Sequence, residues 1–218
     1  MSMPTFTAAA LAGVPAGVQS QGVWIGRRQL FVRFAGEAET ATMYTADALA
    51  RDLDRQTQRS VFHSVSLSGR DPLANTPFIE AALAKSTVTL PVMLDTDGQR
   101  PEELAAILPR LALMQITLDC GSSESAVDRA LESLRVSAAG SCAHAFVAMA
   151  SVETTDAQLL RAVERVAQVS AATQVVLLPP PSVEPTLDRR WATLLEGAMR
   201  LHANIQLGSR IPAPSGLR

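Results

Sequence analysis

Gln29-Leu30-Phe31-Val32-Arg33-Phe34 reads as a β-strand, with Leu30, Val32 and Phe34 on one face and Phe31 and Arg33 on the other. Ala46–Thr57 follows with helical spacing, Leu49 and Leu53 lying four apart. The same strand–helix unit recurs down the chain. Val61–Leu67 (VFHSVSL) is a strand and 76–84 a helix. Val88–Leu94 is a strand interrupted by Pro91, and Pro101–Leu108 a helix opening on Pro then Glu-Glu. Met114–Leu118 precedes the helix Ser122–Leu134, Ala143–Met149 precedes Thr155–Val169, and Gln174–Leu178 precedes Leu187–Leu201. Asn204–Leu207 reads as a further short strand. This alternation implies an α/β chain with a parallel sheet and outer helices. The six units are too few for a closed eight-fold barrel, so a partial barrel and a doubly wound sheet both remain open. Residues 1–218 read as one domain, without internal repeat or linker.

Composition narrows the function. Of 218 residues, 47% are hydrophobic, which suits a folded core. A net charge of −2, from 19 basic and 21 acidic residues, gives no electrostatic footprint for nucleic acid. Lys85 is the only lysine, a bias attributed to coding composition. Cys120 and Cys142 make neither a disulfide framework nor a four-ligand metal set. No apolar run reaches the roughly 18–20 residues of a membrane span. The apolar stretch Phe6–Val14 lacks preceding basic residues and is a poor signal peptide. A cytoplasmic location is expected.

Strand alternation predicts a polar interior. The apolar sets should face the helices. The opposite sets then bring together Arg33, Ser64, Ser66, Ser68, Asp95, Asp97, Gln115, Thr117, Asp119, Cys142 and His144. Polar residues at the C-terminal ends of parallel strands are where α/β folds bind ligands. Ser68, Asp97 and Asp119 stand equally well as caps of the following helices. Cys142 with His144 could hold a metal, with Asp119 as the candidate third ligand, but buried small residues are the favoured reading and no metal is expected; as a nucleophile and base the pair lacks an aligned geometry. Asp95 and Asp97 could do acid–base work or simply shape a turn. His63 is expected on the helix side, and His202 at a helix end or on the surface. No phosphate-binding or dinucleotide motif is present.

Several segments together resemble one family. Gln19-Ser20-Gln21-Gly22, Ile25-Gly26-Arg27 and Phe31-Val32-Arg33-Phe34-Ala35-Gly36 are similar to the opening of 7-carboxy-7-deazaguanine synthases, radical S-adenosylmethionine (SAM) enzymes of deazapurine biosynthesis. Ser68-Gly69-Arg70-Asp71-Pro72-Leu73 resembles their TGGEPL motif, and Leu94-Asp95-Thr96-Asp97-Gly98 their ETNG motif. Leu118-Asp119 is similar to the end of their fourth strand. Ile205-Gln206-Leu207-Gly208-Ser209-Arg210 through Gly216-Leu217-Arg218 resembles their tail. Order and spacing carry the resemblance across nearly the whole chain. It implies a partial (β/α)6 barrel of the radical SAM type.

The resemblance breaks at the CxxxCxxC motif. Its three positions fall on Glu37, Ala41 and Tyr44, none of which offers a thiolate. The expectation drawn is a radical-SAM-like pseudoenzyme: no cofactor, no [4Fe–4S] cluster, and only a weak prospect of SAM. Its role would be non-catalytic, as a small-molecule-binding, regulatory or partner protein. The expected ligand is purine-like or SAM-derived. The candidate pocket comprises Gln19, Gln21, Arg33, Ser68, Gly69, Arg70, Asp71, Asp95, Asp97, Asp119, His144 and Gln206, with no catalytic residue assigned. Homodimerisation or pairing with an active homologue follows from the family's habit. The alternative is a cluster-independent lyase or transferase acting on a purine- or pterin-like substrate.

Overall fold

The computed structural model describes residues 7–211. Ten strands form one sheet: β1 Ala8–Gly13, β2 Ala16–Val18, β3 Arg28–Phe34, β4 Thr42–Thr45, β5 Ser64–Gly69, β6 Val92–Thr96, β7 Leu113–Asp119, β8 Ala143–Met149, β9 Gln174–Leu178 and β10 Ile205–Leu207. Six helices accompany them: α1 Ala46–Arg59, α2 Thr76–Lys85, α3 Pro101–Ile107, α4 Glu124–Ala138, α5 Asp156–Val169 and α6 Arg189–Leu201. Along the sheet the order is β10-β9-β8-β7-β6-β5-β3-β1-β4, with β2 also paired to β3. From β3 to β10 every pairing is parallel. Within this parallel series the order never reverses, which rules out the doubly wound alternative. Right-handed crossovers in such a series place every helix on the same face.

That face is the core. Leu49 and Leu53 of α1, Phe78 and Ile79 of α2, Leu104 of α3, Leu131 and Leu134 of α4, Val163 and Val166 of α5 and Trp191 of α6 join one buried cluster. Leu30, Val32, Phe34, Val65, Leu67, Leu94, Met114, Ile116, Phe146, Val175 and Leu177 face them from the sheet. The helices start where the sequence supplies caps. Thr45 Oγ1 accepts the Ala48 N–H at 3.2 Å, and Thr155 with Gln158 closes a reciprocal capping box on α5. Pro101 occupies the first turn of α3, followed by Glu102 and Glu103.

Two strands begin later than their sequence suggests. β5 starts at Ser64, because Val61 is exposed, Phe62 lies under Arg28 (4.6 Å from guanidinium to ring centroid) and His63 meets Trp24 edge-on. His63 is therefore not on the helix face. β6 starts at Val92. Pro91 has no N–H to give the ladder, although its carbonyl accepts from Val65 N–H. The apolar N-terminal stretch, read as a poor leader, contains β1, which pairs antiparallel with β3 and β4. Phe6 and the tail residues Gly216, Leu217 and Arg218 lie outside the described residues. Among those described, no helix is long and apolar enough to cross a membrane.

Candidate functional site

The face of the sheet away from the helices carries the polar residues. Gln29 is fully buried and its Nε2 donates to Ser64 Oγ at 2.8 Å. Part of this face is covered by the turn between β2 and β3. Gln19 N–H donates to Arg27 O at 2.8 Å and Gly26 N–H to Gln19 O at 2.9 Å, closing the turn on itself. Val23 and Trp24 then pack on Met93, Leu113 and Ala145. Val23 N–H donates to Gln115 Oε1 at 3.0 Å, and Gly22, at φ +82°, leaves room for that amide.

Beyond this covering turn lies a cavity of ≈ 810 Å³ at the C-terminal ends of β5, β6 and β7. The turn after β5 supplies Ser68, Gly69, Arg70 and Asp71; the end of β6 and its turn supply Asp95, Asp97 and Gln99. Gly69 is required where it stands: a Cβ there would meet Phe34 O at 2.3 Å, and φ is +98°. Asp95 is half-buried, and Thr117 Oγ1 donates to its Oδ1 at 2.7 Å. Burial pushes the Asp95 carboxyl above the ordinary range, and the Thr117 hydrogen bond offsets this only in part.

Arginine–carboxylate pairs brace the mouth. Arg100 Nε donates to both Asp71 oxygens at 2.8 Å, and its Nη1 to Glu103 Oε1 at 3.0 Å. Hydrogen bonding to these two carboxylates pushes the Arg100 guanidinium above its ordinary range. Arg129 spans α4 to α3, donating from Nη1 and Nη2 to Glu102 at 3.0 Å each.

Of the twelve sequence candidates, Ser68, Gly69, Arg70, Asp71, Asp95 and Asp97 come together in this cavity. The others do not line it. Gln19 Nε2 donates to Gln21 O within the covering turn. Arg33 points outward and pairs with Glu39 at 3.3 Å. Asp119 Oδ1 accepts Gly121 N–H at 2.8 Å within the turn after β7, whereas the cap of α4 is Ser123, so Asp119 does not cap the helix. Gln206 is exposed on the edge strand β10.

Placing His144 and Cys142 in the interior is corrected by register. Gln115 pairs with Ala145 and Thr117 with Val147, so Ala145 and Val147 share the polar face. Phe146 takes the helix face, and Cys142 joins the same core cluster. His144 sits at the start of β8, its Nε2 3.2 Å from Ser170 Oγ, far along the strand from the pocket end. Both alternating sets on β8 are apolar enough to be core; only the size of Phe146 decides between them. His202 is buried rather than superficial, and its Nε2 donates to Thr173 O at 2.7 Å. The sequence reading missed Gln99, Arg100, Glu102, Glu103 and Arg129. The Pro-Glu-Glu turn of α3 was visible, but nothing local showed that it faces the cavity.

No family model matches the chain. Over 113 residues, 45% of this chain and 44% of the relative, the sequence is 29% identical to a 7-carboxy-7-deazaguanine synthase from Methanothermobacter thermautotrophicus. The matched region thus spans under half of that relative's length. The solved structure of QueE from Escherichia coli superposes on 95% of this chain and 97% of its own, with TM-score 0.60 and 11% identity. The expectation that no cofactor takes part is corrected by the sequence match, because enzymes of that kind work with a [4Fe–4S] cluster and SAM. Tested against the residues present, a thiolate-held cluster does not fit. The loop after β3 holds Glu37 and Glu39 but no cysteine. Cys120 and Cys142 are buried, and burial with the neighbouring Asp119 pushes the Cys120 thiol up to about 12. The chain is therefore similar in fold to QueE and, over part of its length, in sequence to a 7-carboxy-7-deazaguanine synthase.

Proposed function

We propose that this chain is a small-molecule-binding relative of the deazaguanine synthases, with its sheet curled as a partial (β/α)6 barrel and the cavity above β5–β7 as its binding site. The observation that carries the reading is convergence. Two segments singled out by sequence, Ser68–Asp71 and Asp95–Asp97, meet in one ≈ 810 Å³ cavity, of a size suited to a small organic ligand. Position supports it too, since parallel α/β sheets bind ligands beyond the carboxyl ends of their strands. The ligand class is purine-like or SAM-derived, and the role is binding rather than radical generation. Self-association as a homodimer belongs to the same reading, and light scattering on the full chain tests it.

A thermal-shift screen with SAM, S-adenosylhomocysteine, pterins and deazapurines tests the site. A ligand at a hundred times its Kd adds about 2.7 kcal/mol of stability. At least one class should raise the melting temperature by several degrees, and Asp97→Ala should reduce the rise. Stabilisation by none, or equal stabilisation of the variant, contradicts the reading. Asp95 favours a second reading. A half-buried carboxyl with a raised pKa, oriented by Thr117 in a cavity, suits general acid–base work. On that reading a purine- or pterin-like substrate is turned over without a cluster, and Asp95→Asn abolishes turnover while leaving binding. Mass spectrometry of the incubated ligand decides.

A further inference from the structure

Three arginines line the cavity, and two are committed. Arg100 is spent on Asp71 and Glu103, and Arg129 on Glu102 and the Gln99 carbonyl. Arg70 is exposed into the cavity and has no carboxylate at ion-pair distance among the described residues.

Its backbone is held on both sides. Arg70 N–H donates to Phe34 O at 2.9 Å. On one side stands Gly69 at φ +98°; on the other stands Asp71 at φ +43°, the one non-glycine residue with positive φ among those described. The two-pronged contact from Arg100 holds Asp71 in that conformation. Strain of this kind costs roughly 1–3 kcal/mol and persists only where the surroundings fix it. The result is a clamped turn that presents a long, unpaired cation to the pocket. Asp95 and Asp97 carry no arginine or lysine partner among the described residues and line the same cavity. An anion is disfavoured beside them and favoured at the Arg70 rim, while an N–H-bearing ring edge suits the two acids.

We propose that Arg70 is the specificity residue of this pocket, and that the ligand presents an oxyanion to its guanidinium while a ring bearing N–H donors faces Asp95 and Asp97. Arg100 is then a positioning residue, acting through Asp71. The proposal rests on the binding reading above and names the chemistry that the site selects. Arginine is suited to the task because its planar fork matches an oxyanion with two parallel hydrogen bonds.

Calorimetric titration of the full chain with 7-carboxy-7-deazaguanine, 7-deazaguanine and inorganic phosphate tests it, with the Arg70 Nε–H resonance followed by NMR. The carboxylated ring should bind about tenfold or more tighter than the bare ring. Arg70→Gln should erase that preference without weakening the bare ring, and Arg70→Lys should restore part of it. Phosphate should compete with the carboxylated ring and not with the bare one. The proposal is overturned if Arg70→Gln keeps the preference or weakens both rings equally. Should neither ring bind while phosphate shifts the Arg70 resonance, the anion site stands and the deazapurine reading falls. Should no probe bind, both fall.

Discussion

A methyl group at Gly22 would sit 2.1 Å from Gln115 Oε1, on a backbone at φ +82°. Gln115 is fully buried and accepts the Val23 N–H, so it has little freedom to retreat. Gly22→Ala should cost about 1–3 kcal/mol through overpacking and strain, read as a lower urea midpoint. Two neighbouring serines make a sharper contrast. Ser64 Oγ accepts from Gln29 Nε2, whereas Ser66 Oγ is buried without a partner. Ser64→Ala should cost about 1 kcal/mol, and Ser66→Ala should be neutral or stabilising, because it removes an unsatisfied group. Equal losses would contradict the assigned bonding. Asp95 gives a pH-dependent case. Its folded-state carboxyl titrates above the ordinary 3.8. Its contribution to stability is therefore fully present below pH 3.8 and lost as pH rises through the raised value. Asp95→Asn should accordingly raise the urea midpoint near neutrality, with the gain shrinking in acid. A variant less stable than the parent at pH 7 would show that the ionised carboxylate is well solvated.

Among elements, α5 is the clearest test of local logic. Thr155 Oγ1 accepts the Gln158 N–H and Gln158 Oε1 accepts the Thr155 N–H at 2.9 Å. Thr155→Ala should lower unfolding free energy by about 0.5–2 kcal/mol in chemical denaturation, with Thr155→Ser close to the parent. Sequence exposed the parallel strands and their helices because each strand pairs an apolar set with a more polar one, as Leu30, Val32 and Phe34 oppose Arg33. It failed where that contrast is absent. Cys142, His144 and Phe146 alternate with Ala143, Ala145 and Val147, and neither set is polar enough to mark the interior. The short strands β1, β2 and β4 were missed for a related reason. Ala-Ala-Ala-Leu-Ala-Gly carries little strand propensity and is held by its pairing with β3 and β4.

For the whole molecule, one strand order puts six helices on one side and leaves the polar face free to form a site. The backbone of that site was legible in the turns at Ser68 and Asp95, since both end strands and carry glycine beside acids. Its arginine braces were not, because Arg129 meets Glu102 only through the packing of α3 against α4, and Arg100 meets Asp71 only where α3 approaches the turn after β5. The account's central claim is that a ligand occupies the cavity at the ends of β5 and β6. Hydrogen–deuterium exchange of the full chain, with and without saturating 7-carboxy-7-deazaguanine, measures this directly. Slowed exchange concentrated in 68–72 and 95–100 is the predicted result; unchanged exchange there, or slowing confined to the opposite end of the sheet around His144 and Ser170, would contradict it.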